Sequence, residues 1–350
     1  MSRDDPYAVL AHIGEDCVGA VQFAAAERAV EIVSGRAEHG VEWLDDDTLE
    51  ALLARIAARS SPGQRAVLTG QFSLPGALGK VALVWDGEEG RWGMPSGQSA
   101  STHILKPPMP GVTGHNENEH FCLRLARGVE LAAASSRVVR FGKQRAIAVE
   151  RFDRDLRLNA EVRRLHQEDM AQALGIDPSL KYAAEAGAGI KEIVGLLRDY
   201  GHSGDVDGFV KGVGFAWVTA GTDAHLRNYS FLIEHGQNAT LAPLYDVASA
   251  LGLSARRKRL DTLRMAMTIG GETLLSEIGR DAWQREVRRS RLPSHALASI
   301  AELATRIAEA APGVAERLID EEGLDAAYLR RLARKVATRA GTCARELAGV

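Results

Sequence analysis

Three polar residues in the second half of the chain have the types and the order of a phosphotransfer centre. The apolar run at residues 213–220 breaks at Gly221, Asp223 follows it, and Asn228 comes five residues later. A predicted strand and a polar turn then lead to Asp246. In kinases an Asp orients and deprotonates the attacking hydroxyl, an Asn holds a metal ion, and a second Asp holds the metal that bridges the phosphates. The order therefore predicts a kinase-type catalytic loop, although an Asp and an Asn at this spacing also arise by chance.

His225 lies inside this loop, two residues after Asp223. A histidine in that place can serve as a second base, or it can order the loop by hydrogen bonding. No second histidine stands at metal-ligand spacing from it. The sequence therefore predicts no zinc site and leaves both roles of His225 open.

A glycine-containing loop and a later lysine could supply phosphate contacts. The loop at residues 73–80 contains Ser73, Gly76 and Lys80, and Lys106 ends a predicted strand. Backbone N–H groups in such loops approach phosphate oxygens, and a lysine supplies a point charge. An ordinary turn and a solvated strand end are the alternative interpretations of the two features.

Two further segments match the remaining parts of a kinase. A helix predicted over residues 117–131 carries Glu117 and Glu119, and in kinases a glutamate on such a helix pairs with the strand lysine. Glu119 is the predicted partner of Lys106, and a solvent-facing charge is the alternative. Residues 150–154 follow the last predicted strand, where backbone groups could meet an adenine edge.

Predicted strands lie mainly before residue 150 and predicted helices after it. This order favours an α+β, two-lobed protein-kinase-like fold, with a β-rich N-lobe and a larger all-helical C-lobe, over a βαβ sheet. We predict an N-terminal helical or mixed segment over residues 1–62. The N-lobe with phosphate loop and hinge would span residues 63–152, and the helical C-lobe with the catalytic loop would span residues 153–350.

Three local predictions concern where helices begin and end. Asp47 is expected to cap a helix, with Glu50 three residues further on as in a capping box. Residues 165–170 are expected to open another helix. Two separate helices are predicted over residues 296–310 and 314–319.

Composition restricts the class of protein. The net charge of −3 argues against a generally basic nucleic-acid binder. The three cysteines are far apart, which favours a reduced, cytoplasmic setting. No apolar run reaches the roughly 18 residues of a membrane span, so no membrane partner is expected.

Taken together, these segments resemble the HipA-type serine/threonine kinases, the toxins of bacterial toxin–antitoxin modules. The matching segments appear in the family's order over roughly residues 7–280. They are residues 73–77 with Lys80, 102–107, 118–119 with 122–126, 149–154, 165–170, 223–228 and 245–247.

The resemblance implies roles for these residues in using ATP and Mg²⁺. Asp223 would be the catalytic base or orienting carboxylate, and Asn228 and Asp246 would ligate Mg²⁺, a cation that prefers oxygen ligands. Lys106 would hold the ATP phosphates beneath the loop at residues 73–80. At the hinge, the residues beside the adenine would be Glu150 and Phe152.

Ser73 matches the serine that such kinases phosphorylate on themselves. A phosphate there adds about −1.5 to −2 charges to a loop that must accept an anionic nucleotide, which would switch the enzyme off. The resemblance further implies a bacterial cytoplasmic toxin that phosphorylates an aminoacyl-tRNA synthetase, halts translation and produces persister-like dormancy.

The chain departs from the family's pattern in two places. The usual chain begins with a further β-rich subdomain, which is expected here to be absent or supplied by a separate small protein. The loop also reads Ala77-Leu78 where a Gln commonly follows the Ala, so that side chain cannot contact phosphate.

The expected partner is a cognate DNA-binding antitoxin, with DNA reached only indirectly because no helix-turn-helix pattern is evident. The basic run at residues 256–259 could touch phosphates or be a solvated or substrate-facing loop. Two other functions stay open: a kinase of small molecules or phosphoinositide-type lipids, and a catalytically weak co-repressor that acts with the antitoxin.

Overall fold

The computed structural model describes residues 14–36, 39–59, 79–156, 162–177, 187–233, 238–253 and 260–349. It divides into two compact units. The first contains residues up to Gly111 together with Ser136–Gln167, and the second contains Val112–Ser135 together with Glu168–Val350.

The first unit is built on a six-stranded sheet. Its elements are α1 (Ala26–Val33), β1 (His39–Leu44), α2 (Asp46–Arg59), β2 (Val81–Asp86), β3 (Arg91–Gly97), β4 (His103–Lys106), β5 (Ser136–Phe141), β6 (Gln144–Glu150), β7 (Arg154–Asp155) and β8 (Arg163–Arg164). The sheet runs in the order β1-β3-β2-β4-β6-β5 with antiparallel neighbours. Strands β7 and β8 form a separate two-stranded ribbon.

Helix α2 covers one face of this sheet. Its buried side chains Leu49 and Leu53 pack with Leu83 and Leu105 in one hydrophobic cluster. Side chains alternate between the two faces of a strand, so Lys106, which follows Leu105, lies on the face that α2 does not cover.

The cap of α2 differs from the prediction. The carboxylate of Asp45 accepts a hydrogen bond from the Thr48 backbone N–H at 2.8 Å, whereas Asp47 lies within the first turn. Strand β1 ends at Leu44, so Asp45 is the first residue that can act as the N-cap.

The second unit is mainly helical. Its elements are α3 (His115–Gly128), β9 (His166–Asp169, whose first two residues belong to the first unit), α4 (Met170–Ala173), α5 (Ile190–Tyr200), α6 (Asp205–Thr219), β10 (Ser230–Ile233), β11 (Ala239–Leu241), β12 (Arg264–Ile269), β13 (Glu272–Leu274), α7 (Arg280–Arg289), α8 (Ala296–Glu322) and α9 (Ala326–Ala348). Strands β11, β10 and β9 form one small sheet, and β12 and β13 form another. The prediction of an all-helical C-lobe was therefore too simple.

Two predicted helix boundaries need correction. Residues 166–169 form a strand, and α4 begins only at Met170 because Asp169 caps it. The Asp169 side chain accepts from the Gln172 N–H, and the Gln172 side chain accepts from the Asp169 N–H, each at 2.9 Å. This capping box sets the start of the helix.

Helix α8 is continuous across Pro312, where two helices were predicted. Proline removes one backbone hydrogen bond, but the buried face continues on both sides of it through Ile307, Ala311, Val314 and Leu318. Packing of this face maintains one helix through residues 296–322. None of the described helices is long and apolar enough to cross a membrane.

Candidate active site

The predicted catalytic loop begins where α6 ends. Ala220 adopts a left-handed conformation with φ of 56°, and the Gly221 N–H donates to the Ala216 carbonyl at 2.7 Å. The chain therefore leaves the helix sharply, and residues 221–229 form a loop between α6 and β10. A short 3-10 turn, Leu226–Asn228, closes the loop.

Hydrogen bonds inside the loop converge on the Asp223 backbone. The Asn228 side-chain N–H₂ donates to the Asp223 carbonyl at 2.8 Å, and the His225 backbone N–H donates to the same oxygen at 2.8 Å. Asn228 is 8% exposed and His225 7%, whereas the Asp223 side chain is exposed. The loop thus holds its backbone inward and presents the Asp223 carboxylate outward.

Asp246 follows the β10–β11 hairpin and is held beside the loop by its neighbour Tyr245. The Tyr245 hydroxyl lies 2.8 Å from the Arg227 carbonyl, to which it donates, and 2.5 Å from the Ser230 hydroxyl. Asp246 itself is exposed and has φ of 56°. This left-handed conformation costs a non-glycine residue roughly 1–3 kcal/mol, and such strain is concentrated at functional sites.

Asn228 and Asp246 are the residues suited to hold a metal ion. Because the Asn228 nitrogen donates to a carbonyl, its Oδ1 is the atom that can ligate a cation. With a carboxylate from Asp246, the donor set consists of oxygens, which fits Mg²⁺.

Asp169 also contributes to this region, a role that was not predicted from the sequence. It is half-buried, and burial raises its pKa above the usual range, while the hydrogen bond from Gln172 and the charge of Arg227 oppose the shift. The Met170 N–H donates to the Tyr229 carbonyl at 2.9 Å, which joins the start of α4 to the catalytic loop. The Asp-x-x-Gln capping pattern was the available sequence signal.

In the first unit, Lys106 lies at the end of β4 opposite Ile147 of β6 and is 7% exposed. Ile104 and Val149 pair with each other and lie on the same face of the sheet as Lys106. An apolar face with one buried lysine has the chemistry to accept a base and a phosphate. Lys80 is half-buried directly before β2, while Ser73 and Gly76 lie outside the described residues.

The segment after Glu150 is anchored by buried charges. Arg151 contacts both carboxylate oxygens of Asp153, at 3.0 and 2.8 Å. Arg154 contacts Asp16 at 3.0 Å and Asp153 at 3.1 Å. Glu150 and Phe152, the predicted hinge residues, are each half-buried beside this cluster. The part played by Asp16 was not predicted.

The predicted site residues are distributed over both units. The first unit contains Lys80, Lys106, Glu150 and Phe152, and the second contains Glu119, Asp223, His225, Asn228 and Asp246. Glu119 is buried on α3. Its pairing with Lys106 stays a prediction.

The fold class these units define is shared with known proteins. Aligned over 100% of this chain and 81% of the other, the structure has a TM-score of 0.79 and 23% identity to HipA from Shewanella oneidensis, solved with HipB and its operator DNA. At this identity the likeness shows the fold alone. The predicted two-lobed, kinase-like α+β fold is thereby confirmed.

Sequence comparison identifies the family. Residues 72–312 match the HipA-like C-terminal domain. The putative kinase Y4mE of Sinorhizobium fredii is 30% identical over 97% of this chain and 79% of its own length. The serine/threonine-protein kinase toxin HipA of Shewanella oneidensis is 28% identical over 71% of this chain and 58% of its own length. The chain belongs to the HipA-like family.

Proposed function

We propose that the chain is a serine/threonine protein kinase that uses ATP and Mg²⁺. The observation that carries this proposal is the loop geometry, in which Asn228 binds the Asp223 backbone and Tyr245 holds Asp246 beside it. The names of the relatives, a putative kinase and a serine/threonine kinase toxin, support the same reaction class.

Each residue has a defined part in the proposed reaction. The exposed Asp223 carboxylate orients the substrate hydroxyl and accepts its proton. Asn228 and Asp246 hold Mg²⁺, which when bound neutralises charge on the phosphates. His225 orders the loop, a role supported by its burial and by its backbone hydrogen bond to Asp223.

Residues of the first unit bind the nucleotide in this proposal. Lys106 and the segment containing Ser73, Gly76 and Lys80 hold the phosphates, and Glu119 orients Lys106. Glu150 and Phe152 border the adenine, supported by their position at the end of β6 and two residues beyond it, beside the buried charge cluster.

The biological role we propose is that of a toxin. The name of the HipA relative supports it, and its target in this chain would be an aminoacyl-tRNA synthetase, with arrest of translation. Autophosphorylation at Ser73 would then inactivate the enzyme by repelling the nucleotide.

A DNA-binding antitoxin is the proposed partner, supported by HipB and operator DNA in the similar HipA structure. A second, small protein partner is supported by the exposed apolar side chains of the first unit, Val21, Phe23, Val30 and Val33. Contact with DNA would be indirect.

Phosphate transfer from labelled ATP tests the proposed activity. Wild-type protein is incubated with ATP and Mg²⁺, with a synthetase and its tRNA, with lipid, or with small-molecule acceptors. We expect transfer to protein, and its loss in Asp223→Asn and Asp246→Asn but not in the exposed control Asp199→Asn. Transfer only to lipid or a small molecule would show that the proposed substrate class, protein, is wrong. A wild type without transfer would favour the co-repressor function.

Autophosphorylation is tested separately. Mass spectrometry after incubation with ATP should find phosphate on Ser73, and Ser73→Ala should remain active for longer. If Ser73→Asp binds ATP as well as the wild type does, the proposed inactivation is wrong.

A further inference from the structure

A buried asparagine on α3, Asn118, forms hydrogen bonds with the backbone of Ser249, three residues downstream of Asp246. The Asn118 side-chain N–H₂ donates to the Ser249 carbonyl at 2.8 Å, and its oxygen accepts from the Ser249 N–H at 3.0 Å. Each residue is 1% exposed. One side-chain amide thus satisfies both backbone polar groups of Ser249, away from solvent that could replace either bond.

Ser249 in turn holds the end of α6. Its hydroxyl donates to the Thr219 carbonyl at 2.6 Å, and the next residue, Ala250, donates its N–H to the Ala220 carbonyl at 2.9 Å. The catalytic loop starts directly after Ala220. Two successive hydrogen bonds, between Asn118 and Ser249 and between Ser249 and Thr219, therefore connect α3 to the segment that carries Asp223.

The aromatic ring of Tyr328 on α9 lies close to both the start of α3 and residues 249–252. A Cβ atom added at Gly114, the N-cap of α3, would lie 2.2 Å from the ring, and one at Gly252 would lie 2.4 Å from the hydroxyl. The added Cβ at Gly252 would also lie 2.8 Å from the Asn118 nitrogen. Both glycines are therefore required for close contact between α3, α9 and residues 249–252.

We infer that Asn118 is a positioning residue for phosphotransfer, an inference that rests on the proposed kinase function. Asn118 stands next to Glu119 on α3, so the helix that carries the predicted partner of the phosphate-binding lysine is joined directly to the metal-binding segment. Ser249 lies three residues after Asp246, whose left-handed backbone needs support from its surroundings. Asn118 supplies part of that support.

The chemistry at position 118 requires an amide. An aspartate of the same shape would keep the acceptor but lose the donor, and would set a carboxylate against the Ser249 carbonyl. An alanine would leave the buried Ser249 N–H without its partner, whereas the Ser249 carbonyl would keep the bond from the Gly252 N–H at 3.1 Å. Proteins rarely tolerate a buried backbone N–H that has lost its partner. Either change should loosen residues 246–250 without touching the metal ligands themselves.

The test measures the Mg²⁺ concentration that gives half-maximal binding of a fluorescent ATP analogue, and half-maximal phosphate transfer at saturating ATP. For Asn118→Asp and Asn118→Ala we expect this concentration to rise about tenfold or more, as is typical when a group supporting a metal ligand is lost. The matched control is His120→Gln. His120 is buried on the same helix but faces Glu322, 3.0 Å away, so its loss should lower the melting temperature and leave the Mg²⁺ dependence unchanged.

Equal Mg²⁺ dependence in wild type and Asn118 variants would overturn the inference while leaving the kinase proposal intact. The same holds if the control shifts as much as the Asn118 variants, because the effect would then follow stability alone. A wild type that shows neither Mg²⁺-dependent nucleotide binding nor transfer would overturn both.

Discussion

The two units support their candidate site residues by different physical means. In the first, the segment after Glu150 is held by buried charges, Arg151 and Arg154 against Asp16 and Asp153. In the second, the segment after Asp246 is held by neutral hydrogen bonds, with Asn118 at their centre. Both networks are inaccessible to solvent, so the difference lies in charge rather than exposure.

This difference decides what each network contributes. Buried charges must be paired, and the removal of one partner leaves the other uncompensated in a region of low polarity. Disruption of a neutral hydrogen bond lowers the free energy of unfolding by less, and these neutral groups do not titrate near neutral pH. The first unit should therefore be sensitive to charge and acid, and the second to the geometry of a single amide.

The largest expected effect is on the charge cluster. Asp153→Ala should destabilise the first unit by about 3–5 kcal/mol, because two buried arginines, Arg151 and Arg154, would then share the single carboxylate of Asp16 and leave one buried charge uncompensated. Denaturant unfolding, followed by tryptophan fluorescence, measures the loss. Arg91→Ala serves as the control, since the Arg91 side chain is 45% exposed and its partner Asp86 is 23% exposed, so that this pair lies near the surface. A similar loss in both variants would remove the distinction between the networks.

The charge cluster should also weaken in acid. The Arg151 guanidinium and its neighbours hold the pKa of the Asp153 carboxyl below its usual value of 3.8, against the effect of burial. A group with a lowered folded pKa stabilises the protein above its unfolded pKa and loses that contribution as the pH falls through the folded value. The cluster therefore contributes fully at neutral pH and fails only in strong acid.

A second pH response in the first unit comes from His103. Burial, together with the charge of Arg137, lowers its pKa to about 4 from 6.5. Between these values the unfolded chain binds a proton that the folded chain does not, so stability falls as the pH drops from 6.5 towards 4. At about 1.36 kcal/mol for each pKa unit, the loss should reach at most about 3 kcal/mol. Unfolding measured across this range checks it.

His103→Gln is the matched variant, and its stability should depend less on pH over the same interval. The proposed difference between the two units would be wrong if, in His103→Gln, the stability of the second unit fell by the same amount between pH 6.5 and pH 4. An unchanged pH profile for the first unit in His103→Gln would assign that response to other groups.

Disruption of the neutral network should cost less. We expect Asn118→Ala to destabilise the second unit by about 1–3 kcal/mol, the range for buried polar groups that lose their partners. The loss should be the same from about pH 5 to pH 8, because neither Asn118 nor the Ser249 backbone titrates there. Unfolding curves at several pH values test both statements, and a pH-dependent loss would show that charges also take part.

The smallest expected effect concerns a cap outside both networks. Asp45→Ala should lower the melting temperature slightly, because the Thr48 N–H loses its partner. Asp47→Ala should have less effect, because Asp47, the cap predicted from the sequence, lies inside the first turn of the helix. Thermal unfolding of the two variants side by side decides between the cap in the structure and the cap expected from the sequence.

Local patterns in the chain predicted local structure well. The strand ending at Lys106 and the helix predicted over residues 117–131 follow from periodicity and turn residues, and the structure confirms both, the helix as His115–Gly128. The errors occurred where distant packing overrode a local signal. Two helices were predicted over residues 296–310 and 314–319, where packing keeps one helix continuous across Pro312, and residues 166–169 were expected to be helical but join a sheet.

By itself, the sequence determined the family and predicted the catalytic loop, because Asp223, Asn228 and Asp246 lie close along the chain in a recognisable order. Only the tertiary structure decided what holds these residues in place. Asn118 and Ser249 are 131 positions apart, and Arg154 and Asp16 are 138 apart. Contacts at such separations depend on how whole units pack, and no spacing within a single sequence reveals them.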